Sequence, residues 1–322
     1  MFYAILGAYH SAFIIPYSAF IISFMPYICE LSALFTSFCW ALSAVGFSNA
    51  TERLGSQVTN RLRVALAFAA LLIINGLLYG QPIPLHAGAE RWGWLALSGL
   101  IGLAIGDAFL FKSYQCLGPR LGLLLLSLAP VFGALIAWLL FGETLTWLQI
   151  TGMTVTLAGI SWVVMIRPAE NGTSAACAPG RGVFYGILAA LGQTAGLVLS
   201  KQGMAGDFSP FAGTLIRMLA ALISLWGLAV LQGQAVKTVQ TIRQNPAGVR
   251  WALFGAFFGP VIGVSASLLA IQHTSIGVAS TLMALPPVVM LPISYFFYKE
   301  SINWQSITGT LLAIGGVALL FL

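Results

Sequence analysis

One acidic residue lies deep within an apolar segment of this 322-residue chain. Asp107 follows the apolar sequence Gly102-Leu-Ala-Ile-Gly and is expected to lie well inside a membrane-spanning helix. A carboxylate at that depth is costly and commonly functional, for example as a proton carrier. Its expected partner is Lys112 on the same helix or an arginine from another helix. The alternatives are a structural ion pair and a water-facing position nearer the membrane edge.

Polar and aromatic side chains also occur within the apolar segments that are expected to face the centre of the molecule. The residues predicted to bind substrate are Trp40, Asp107, Tyr114, Gln193, Ser265 and Gln272. Further candidates for the same lining are Ser43, Gln115, Thr194, Ser267 and Thr281. Such a lining suits a neutral or zwitterionic organic molecule with an apolar part. For any single residue, a hydrogen bond between packed helices is the alternative explanation.

No residue pattern typical of an enzyme occurs in the sequence. It lacks a Gly-x-Ser-x-Gly elbow, a phosphate-binding glycine-rich loop, a His-Glu-x-x-His motif and paired carboxylates within one apolar segment. The three histidines and four cysteines are dispersed, so neither a metal nor another cofactor is predicted. No polar segment is long enough to form a nucleotide-binding domain. ATP-driven transport by this chain alone is therefore excluded.

The composition predicts an integral membrane protein. The chain is 59% hydrophobic and only 7% charged, with a mean hydropathy of +0.95, whereas soluble domains carry about 25% charged residues. The net charge of +6 is scattered through short loops and does not indicate a nucleic-acid partner. The expected partners are the lipid bilayer and a small-molecule substrate.

Ten apolar segments are long enough to span a bilayer, and a polar stretch divides them into two sets of five. They lie near residues 31–50, 64–80, 92–114, 119–141 and 147–166, then 182–200, 211–231, 250–271, 276–298 and 304–322. The predicted units are an extra apolar segment over 1–29, a first repeat over 30–166, a linker over 167–181 and a second repeat over 182–322. The extra segment is either a further helix or an incorrectly assigned start, because Met25 could equally be the initiator.

The two sets are related by an internal repeat. A shift of 157 residues aligns Trp94 with Trp251, Gly102 with Gly259, Gly106 with Gly263, Gln115 with Gln272, Pro130 with Pro287, Glu143 with Glu300 and Trp147 with Trp304. A shift of 154 aligns Arg63 with Arg217, whereas Asp107 is aligned with Val264. Because each half has an odd number of predicted helices, the second half is expected to insert in the opposite orientation to the first. The predicted fold is an all-α integral membrane protein with ten core helices in two inverted five-helix repeats.

Small and helix-breaking residues recur at matching places in the two halves. Glycines at helix-face spacing predict close helix packing on surfaces along which the halves could move. They are Gly102 and Gly106 in the first half and Gly255, Gly259 and Gly263 in the second. Pro130, Pro286, Pro287 and Pro292 predict kinks beside a central cavity, or harmless bends. Glu143 and Glu300 each precede a helix and are expected to cap it.

These landmarks resemble the EamA module, the repeat unit of the drug/metabolite transporter superfamily. The similar sequences are Gly102 to Arg120, Leu126-Ser-Leu-Ala-Pro-Val, Phe141-Gly-Glu-Thr-Leu, Ala284-Leu-Pro-Pro-Val and Tyr298-Lys-Glu-Ser-Ile. The resemblance covers about residues 30–322. It implies a secondary transporter that exports small metabolites or drugs by alternating access, with coupling to protons or another ion left open. The alternatives are an uncoupled facilitator or channel and a non-transporting membrane scaffold.

Basic residues are distributed unevenly between the two sets of loops. Eleven fall on one side, namely Arg53, Arg61, Arg63, Lys112, Arg120, Arg167, Arg181, Lys237, Arg243, Arg250 and Lys299, and three on the other, namely Arg91, Lys201 and Arg217. The positive-inside rule then places the C-terminus outside the cytoplasm. The family resemblance implies both termini in the cytoplasm, so the orientation stays open. The expected location is the cytoplasmic (inner) membrane, crossed many times.

Overall fold

The computed structural model describes residues 28–141, 146–165, 179–206, 208–273, 279, 282–299 and 303–319. Over these ranges the chain forms helices joined by short connections and has no strand. A helix satisfies its backbone hydrogen bonds within the segment, which is what a chain in hydrocarbon requires. Residues 1–27 of the predicted N-terminal segment lie outside the described residues.

Thirteen α-helices are numbered along the described residues. In chain order they are α1 (Ile28–Leu54), α2 (Ser56–Tyr79), α3 (Ala89–Ser98), α4 (Asp107–Leu126), α5 (Ala129–Phe141), α6 (Trp147–Met165), α7 (Pro179–Gly203), α8 (Pro210–Leu231), α9 (Ala235–Gln244), α10 (Pro246–Ala256), α11 (Val264–His273), α12 (Pro286–Phe297) and α13 (Trp304–Leu319). Two π-helical segments, Gly99–Gly106 and Phe257–Gly263, join α3 to α4 and α10 to α11.

Within the described ranges, seven helices are long and apolar enough to cross a membrane, and α12 and α13 are shorter apolar helices. The longest stretch, Ala89–Leu126, has 38 residues, which is more than the ~20 that one crossing needs. The chain leaves the helical conformation at Gly118, where φ is 79° and ψ is 169°. A Cβ atom on Gly122 would overlap the Tyr114 ring, so the chain reverses between these two residues. This reversal lies between the predicted spans 92–114 and 119–141.

Three of the four prolines predicted to kink or bend the spans lie at the start of a helix, where the span is broken. Pro130 is the second residue of α5, which follows a turn at Ser127 and Leu128. Pro286 and Pro287 are the first two residues of α12. Proline fits the first helical turn because the N–H groups there have no partner within the helix. The corresponding spans are therefore broken helices, and of these four prolines Pro292 lies inside a helix.

The second helix of each half begins at an equivalent place. α2 begins at Ser56 and α8 at Pro210, so Arg63 and Arg217 are each the eighth residue of their helix. The predicted start of the second span at residue 64 was too late, because Arg61 and Arg63 were assigned to a loop. Arg61, Arg63 and Arg217 are instead buried within helices.

The π-helical segments occupy matching positions in the two halves and pack against matching helices. Gly106 and Gly263, at their ends, are 157 residues apart. The first segment packs against α7 and the second against α1. Ser98 Oγ donates to the Gly196 carbonyl at 2.6 Å, and Ser43 Oγ donates to the Gly255 carbonyl at 3.0 Å. The last described helix of each half, α6 and α13, pack against each other.

Candidate functional site

A buried ion pair joins α2 to α4. Arg63 Nη2 lies 2.6 Å from Asp107 Oδ2, and the two side chains are 4% and 7% exposed. Asp107 is the first residue of α4, directly after the π-helical segment. Its partner is thus an arginine from another helix. Lys112 instead has its ammonium 5.9 Å from the ring centroid of Phe109 and 5.2 Å from that of Tyr185.

Hydrogen bonds and an aromatic ring fix the Arg63 guanidinium in place. Its Nε and Nη2 donate to Asn60 Oδ1 at 3.2 and 3.0 Å, and Nη2 also donates to the Leu103 carbonyl at 2.8 Å. Asn60 Nδ2 donates in turn to the Ala104 carbonyl at 3.2 Å. The guanidinium carbon lies 5.3 Å from the centroid of the Phe111 ring. Both carbonyls belong to the π-helical segment, and such departures from regular helix frequently mark functional sites.

The second half contributes to the same cluster through Gln193 on α7. The Gln193 side-chain amide donates to Asp107 Oδ1 and makes a longer contact of 3.5 Å with the Gly102 carbonyl. Both carboxylate oxygens of Asp107 therefore have a partner, one from each half. A buried charge is stabilised only by such complete pairing.

Arg217 on α8 is the second arginine of the cluster. It is 4% exposed and interacts electrostatically with Asp107 and Arg63. A Cβ atom on Gly99 would overlap the Arg217 carbonyl, and one on Gly102 would lie 3.6 Å from Arg217 Nη2. The π-helical segment therefore approaches Arg217 with a face that carries no side chains at these two positions. Two guanidinium groups and one carboxylate are thus buried together.

Glycines bring the two halves into direct backbone contact at two places. A Cβ atom on Gly192 would lie 2.7 Å from Gly106 Cα, and one on Gly196 would lie 2.8 Å from Gly102 Cα. Between α1 and α10, a Cβ atom on Gly46 would lie 2.7 Å from the Gly255 nitrogen. The close packing predicted from glycine spacing is confirmed at these positions.

The predicted substrate-binding residues fall into three groups. Asp107 and Gln193 are hydrogen-bonded to each other. Trp40 contacts Gly263, and Ser265, two residues further on, donates to the Thr214 hydroxyl at 3.2 Å, one turn before Arg217 on α8. Tyr114 belongs to an apolar core cluster with Phe111, and its ring packs on Gly122.

Other predicted residues are placed only in part. Gln272 lies on α11, but its side chain is outside the described residues, as are Glu143, Glu300 and Thr281. Ser43 Oγ and Thr194 Oγ1 hydrogen-bond to backbone carbonyls of facing helices. Ser267 Oγ hydrogen-bonds within its own helix. Among the described residues, no group of three His, Cys, Asp or Glu side chains could hold a metal ion.

Sequence reasoning did not identify Asn60, Arg63 and Arg217 as members of the site. The signal was present, because each arginine begins an apolar run, Arg63-Val-Ala-Leu-Ala-Phe and Arg217-Met-Leu-Ala-Ala-Leu. An arginine at equivalent places in two repeats was taken for a loop charge. The structure buries both within the helical bundle.

Apolar helices in two related halves, with a buried charged cluster between them, define a multi-pass membrane protein built on the plan of a transporter. The model of the EamA-like transporter family matches residues 27–165 and again residues 180–322. The chain belongs to this family and is a membrane transporter of the drug/metabolite type.

Individual relatives are distant and carry different names. A chloroplastic WAT1-related protein of Arabidopsis thaliana is 23% identical over 76% of this chain, which spans 59% of that relative's length. A probable terminal-alkyne amino-acid exporter of Streptantibioticus cattleyicolor is 25% identical over 80% of this chain and 81% of its own. A solved crystal structure aligns with a TM-score of 0.59 at 17% identity, over 90% of this chain and 95% of that one. The last similarity concerns the fold alone.

Proposed function

We propose that the protein is a secondary transporter that exports small organic metabolites across the cytoplasmic membrane by alternating access. The observation that carries this proposal is the buried cluster, in which Arg63 and Asp107 from one half meet Gln193 and Arg217 from the other. Charged side chains inside a membrane protein are expensive and generally mark a transport pathway. In repeat-built transporters, substrate sites lie between the halves, near broken helices.

The proposed architecture has ten core helices in two inverted repeats. It is supported by the two family matches, by the equivalent starts of α2 and α8, and by the matching π-helical segments. The broken spans at Ala129 and Pro286 also lie at matching positions. Backbone contacts between glycines would let the halves slide against each other without interlocking side chains.

The proposal is tested by comparing metabolites in the medium of an overexpressing strain and a deletion strain, followed by transport in proteoliposomes. We expect specific organic solutes to accumulate outside the overexpressing cells. Purified protein should then move those solutes across a liposome membrane. A purified, folded protein that moves none of the solutes identified in cells would overturn the proposal.

A second candidate function, an uncoupled facilitator, is favoured by the pairing of Asp107. Both of its oxygens are engaged, by Arg63 and by Gln193, so the carboxylate is not free to carry a proton. The test compares solute flux with and without an imposed pH gradient, in the wild type and in the double variant Arg63→Gln/Asp107→Asn. For an uncoupled facilitator, the flux with the gradient equals the flux without it in both proteins, so the ratio is one in each. A ratio that falls to one only in the double variant would assign coupling to Asp107.

A further inference from the structure

The charge of the buried cluster is not balanced within the described residues. Arg63 and Arg217 are both buried, and the acidic group that interacts with both is Asp107. Asp107 Oδ2 is paired with Arg63 and Oδ1 accepts from Gln193. The carboxylate therefore neutralises one arginine and leaves the other with an excess positive charge. Such a charge in a low-dielectric interior requires a counter-charge.

Arg217 also differs from the other buried arginines of the described chain in its hydrogen bonding. Arg61 donates to Thr238 Oγ1 at 2.8 Å and to Gln234 Oε1 at 3.0 Å, and Arg63 is bonded as described above. Arg217 Nε is buried without a hydrogen-bond partner, and no hydrogen bond or ion pair joins its guanidinium to another described residue. Because an unpaired buried donor costs free energy, this fork of N–H groups is suited to a ligand.

We propose that Arg217 binds the oxyanion group of the transported solute, a carboxylate or a phosphate-type group. The guanidinium is planar and presents parallel N–H groups, which match two oxygens of such an anion. Gly102 of the first π-helical segment places no side chain beside Arg217 Nη2, because a Cβ atom there would lie 3.6 Å from it. Thr214, one turn earlier on α8, extends a polar surface toward Ser265. The inference rests on the proposed function and narrows its substrate class from neutral or zwitterionic solutes to those that carry an acidic group.

The first test measures binding by the thermal stability of the purified full chain in detergent. The probes are L-leucine, L-leucinamide, 4-methylpentanoate and 3-methylbutylphosphonate, which share a branched apolar body and differ in the head group. We expect the acids to raise the melting temperature and the amide to have no effect. Stabilisation by the carboxylates alone or by the phosphonate alone would distinguish the two sources of the oxyanion. Equal stabilisation by the amide, or none by any acid, would overturn the proposal.

The second test uses variants. Arg217→Gln should weaken acid binding by about tenfold or more, the loss expected when a charged hydrogen-bond donor is removed. Arg217→Lys keeps the charge without the planar fork and should be intermediate. Arg61→Gln is the matched control, because it removes a buried arginine whose hydrogen bonds are internal, and should leave acid binding intact. Acid binding by Arg217→Gln equal to that of the wild type would overturn the proposal.

A purely structural role for Arg217 makes a different prediction for the protein without ligand. If Arg217 is a ligand-binding group, Arg217→Gln removes an unpaired buried charge and should leave the melting temperature of the ligand-free protein unchanged or raise it. A large decrease in Arg217→Gln, with no acid binding by the wild type, would show that Arg217 is structural. Transport separates this inference from the proposed function. If acids bind in a way that depends on Arg217 but no solute is transported, only the proposed transport function is contradicted. If leucinamide is transported and Arg217→Gln does not change its flux, only the oxyanion site is contradicted.

Discussion

Asp107 and Arg63 form a direct ion pair, and Asp107 also interacts with the second buried arginine of the cluster, Arg217. The pair is nearly inaccessible to water, and the remaining contacts of Arg63 are Asn60, a carbonyl and aromatic rings. Breaking a buried pair by removing one partner is much more costly than removing both, because the remaining charge is left uncompensated. The effects of substitutions here should therefore be strongly non-additive.

We expect Asp107→Asn to lower the free energy of unfolding by about 3–5 kcal/mol, because Arg63 and Arg217 are then buried together without a carboxylate. The double variant Arg63→Gln/Asp107→Asn should be more stable than Asp107→Asn, since only one guanidinium then remains buried without a carboxylate. Denaturant unfolding of the purified proteins measures both. Lys237→Gln, at an exposed lysine, is the control and should have almost no effect. A double variant whose loss equals the sum of the two single losses would show that the charges are not coupled.

The helices were largely predictable from apolar segment length, but their irregularities were not. The reversal at Gly118 lies between two predicted spans, whereas the π-helical segments and the helix starts at Ala129 and Pro286 depend on tertiary packing. The buried arginines were missed for a related reason. Sequence alone does not indicate that a cation at the start of an apolar run is covered by another helix, and Arg63 is covered by side chains from α1 and α4.

At the level of helix packing, Gly259→Leu should strongly reduce transport while leaving the protein able to insert. A Cβ atom at Gly259 would overlap the Ser43 hydroxyl, so a leucine would push α1 away from the second π-helical segment. The control is Gly315→Leu in α13, where a Cβ atom would have no neighbour within 4 Å. Transport rates at equal expression provide the measurement, and equal rates for both variants would contradict a role for close packing.

Gly309, the more obvious control on the same helix, is unsuitable. A Cβ atom there would lie 2.5 Å from Val163 Cγ2 and 3.2 Å from the Gly159 carbonyl. Gly309 therefore lies in the close contact between α6 and α13. Substitution there should disturb the contact between α6 and α13.

The reversal at Gly118 depends on backbone conformation alone. No atom would lie within 4 Å of an added Cβ, but φ is positive and ψ extended, a region open essentially to glycine only. Gly118→Ala should therefore lower the free energy of unfolding by about 1–3 kcal/mol. Gly93→Ala in α3, equally unobstructed but without positive φ, should be neutral or stabilising. Equal unfolding energies for the two variants would contradict a conformational requirement at Gly118.

At the scale of the whole molecule, the distribution of charge predicts the orientation in the membrane. Fourteen basic residues were counted on the two sides of the membrane, and three of them are buried within helices, namely Arg61, Arg63 and Arg217. They are not loop charges, so they do not contribute to the positive-inside rule. Without them the bias is nine to two in the same direction, and the C-terminus is still predicted to lie outside the cytoplasm.

Reporter fusions test this orientation directly. A reporter placed after Leu322 and one inserted within residues 167–181 should lie in opposite compartments, with the second one cytoplasmic. A cytoplasmic reporter at Leu322 would instead agree with the orientation that the family resemblance implies. Fusions at both sites are needed, because each alone could report a misfolded protein.

Among the described residues, the carboxylate of the buried cluster comes from the first half alone. This asymmetry affects a transport cycle in which the two halves exchange conformations. Arg63 and Arg217 occupy equivalent backbone positions, but the position equivalent to Asp107 holds Val264. The two halves therefore share helix starts and π-helical segments at equivalent positions but differ in charge. A motion that opens first one side and then the other would connect two end states of different free energy. The empty protein would consequently rest with one side preferentially open, even between identical solutions.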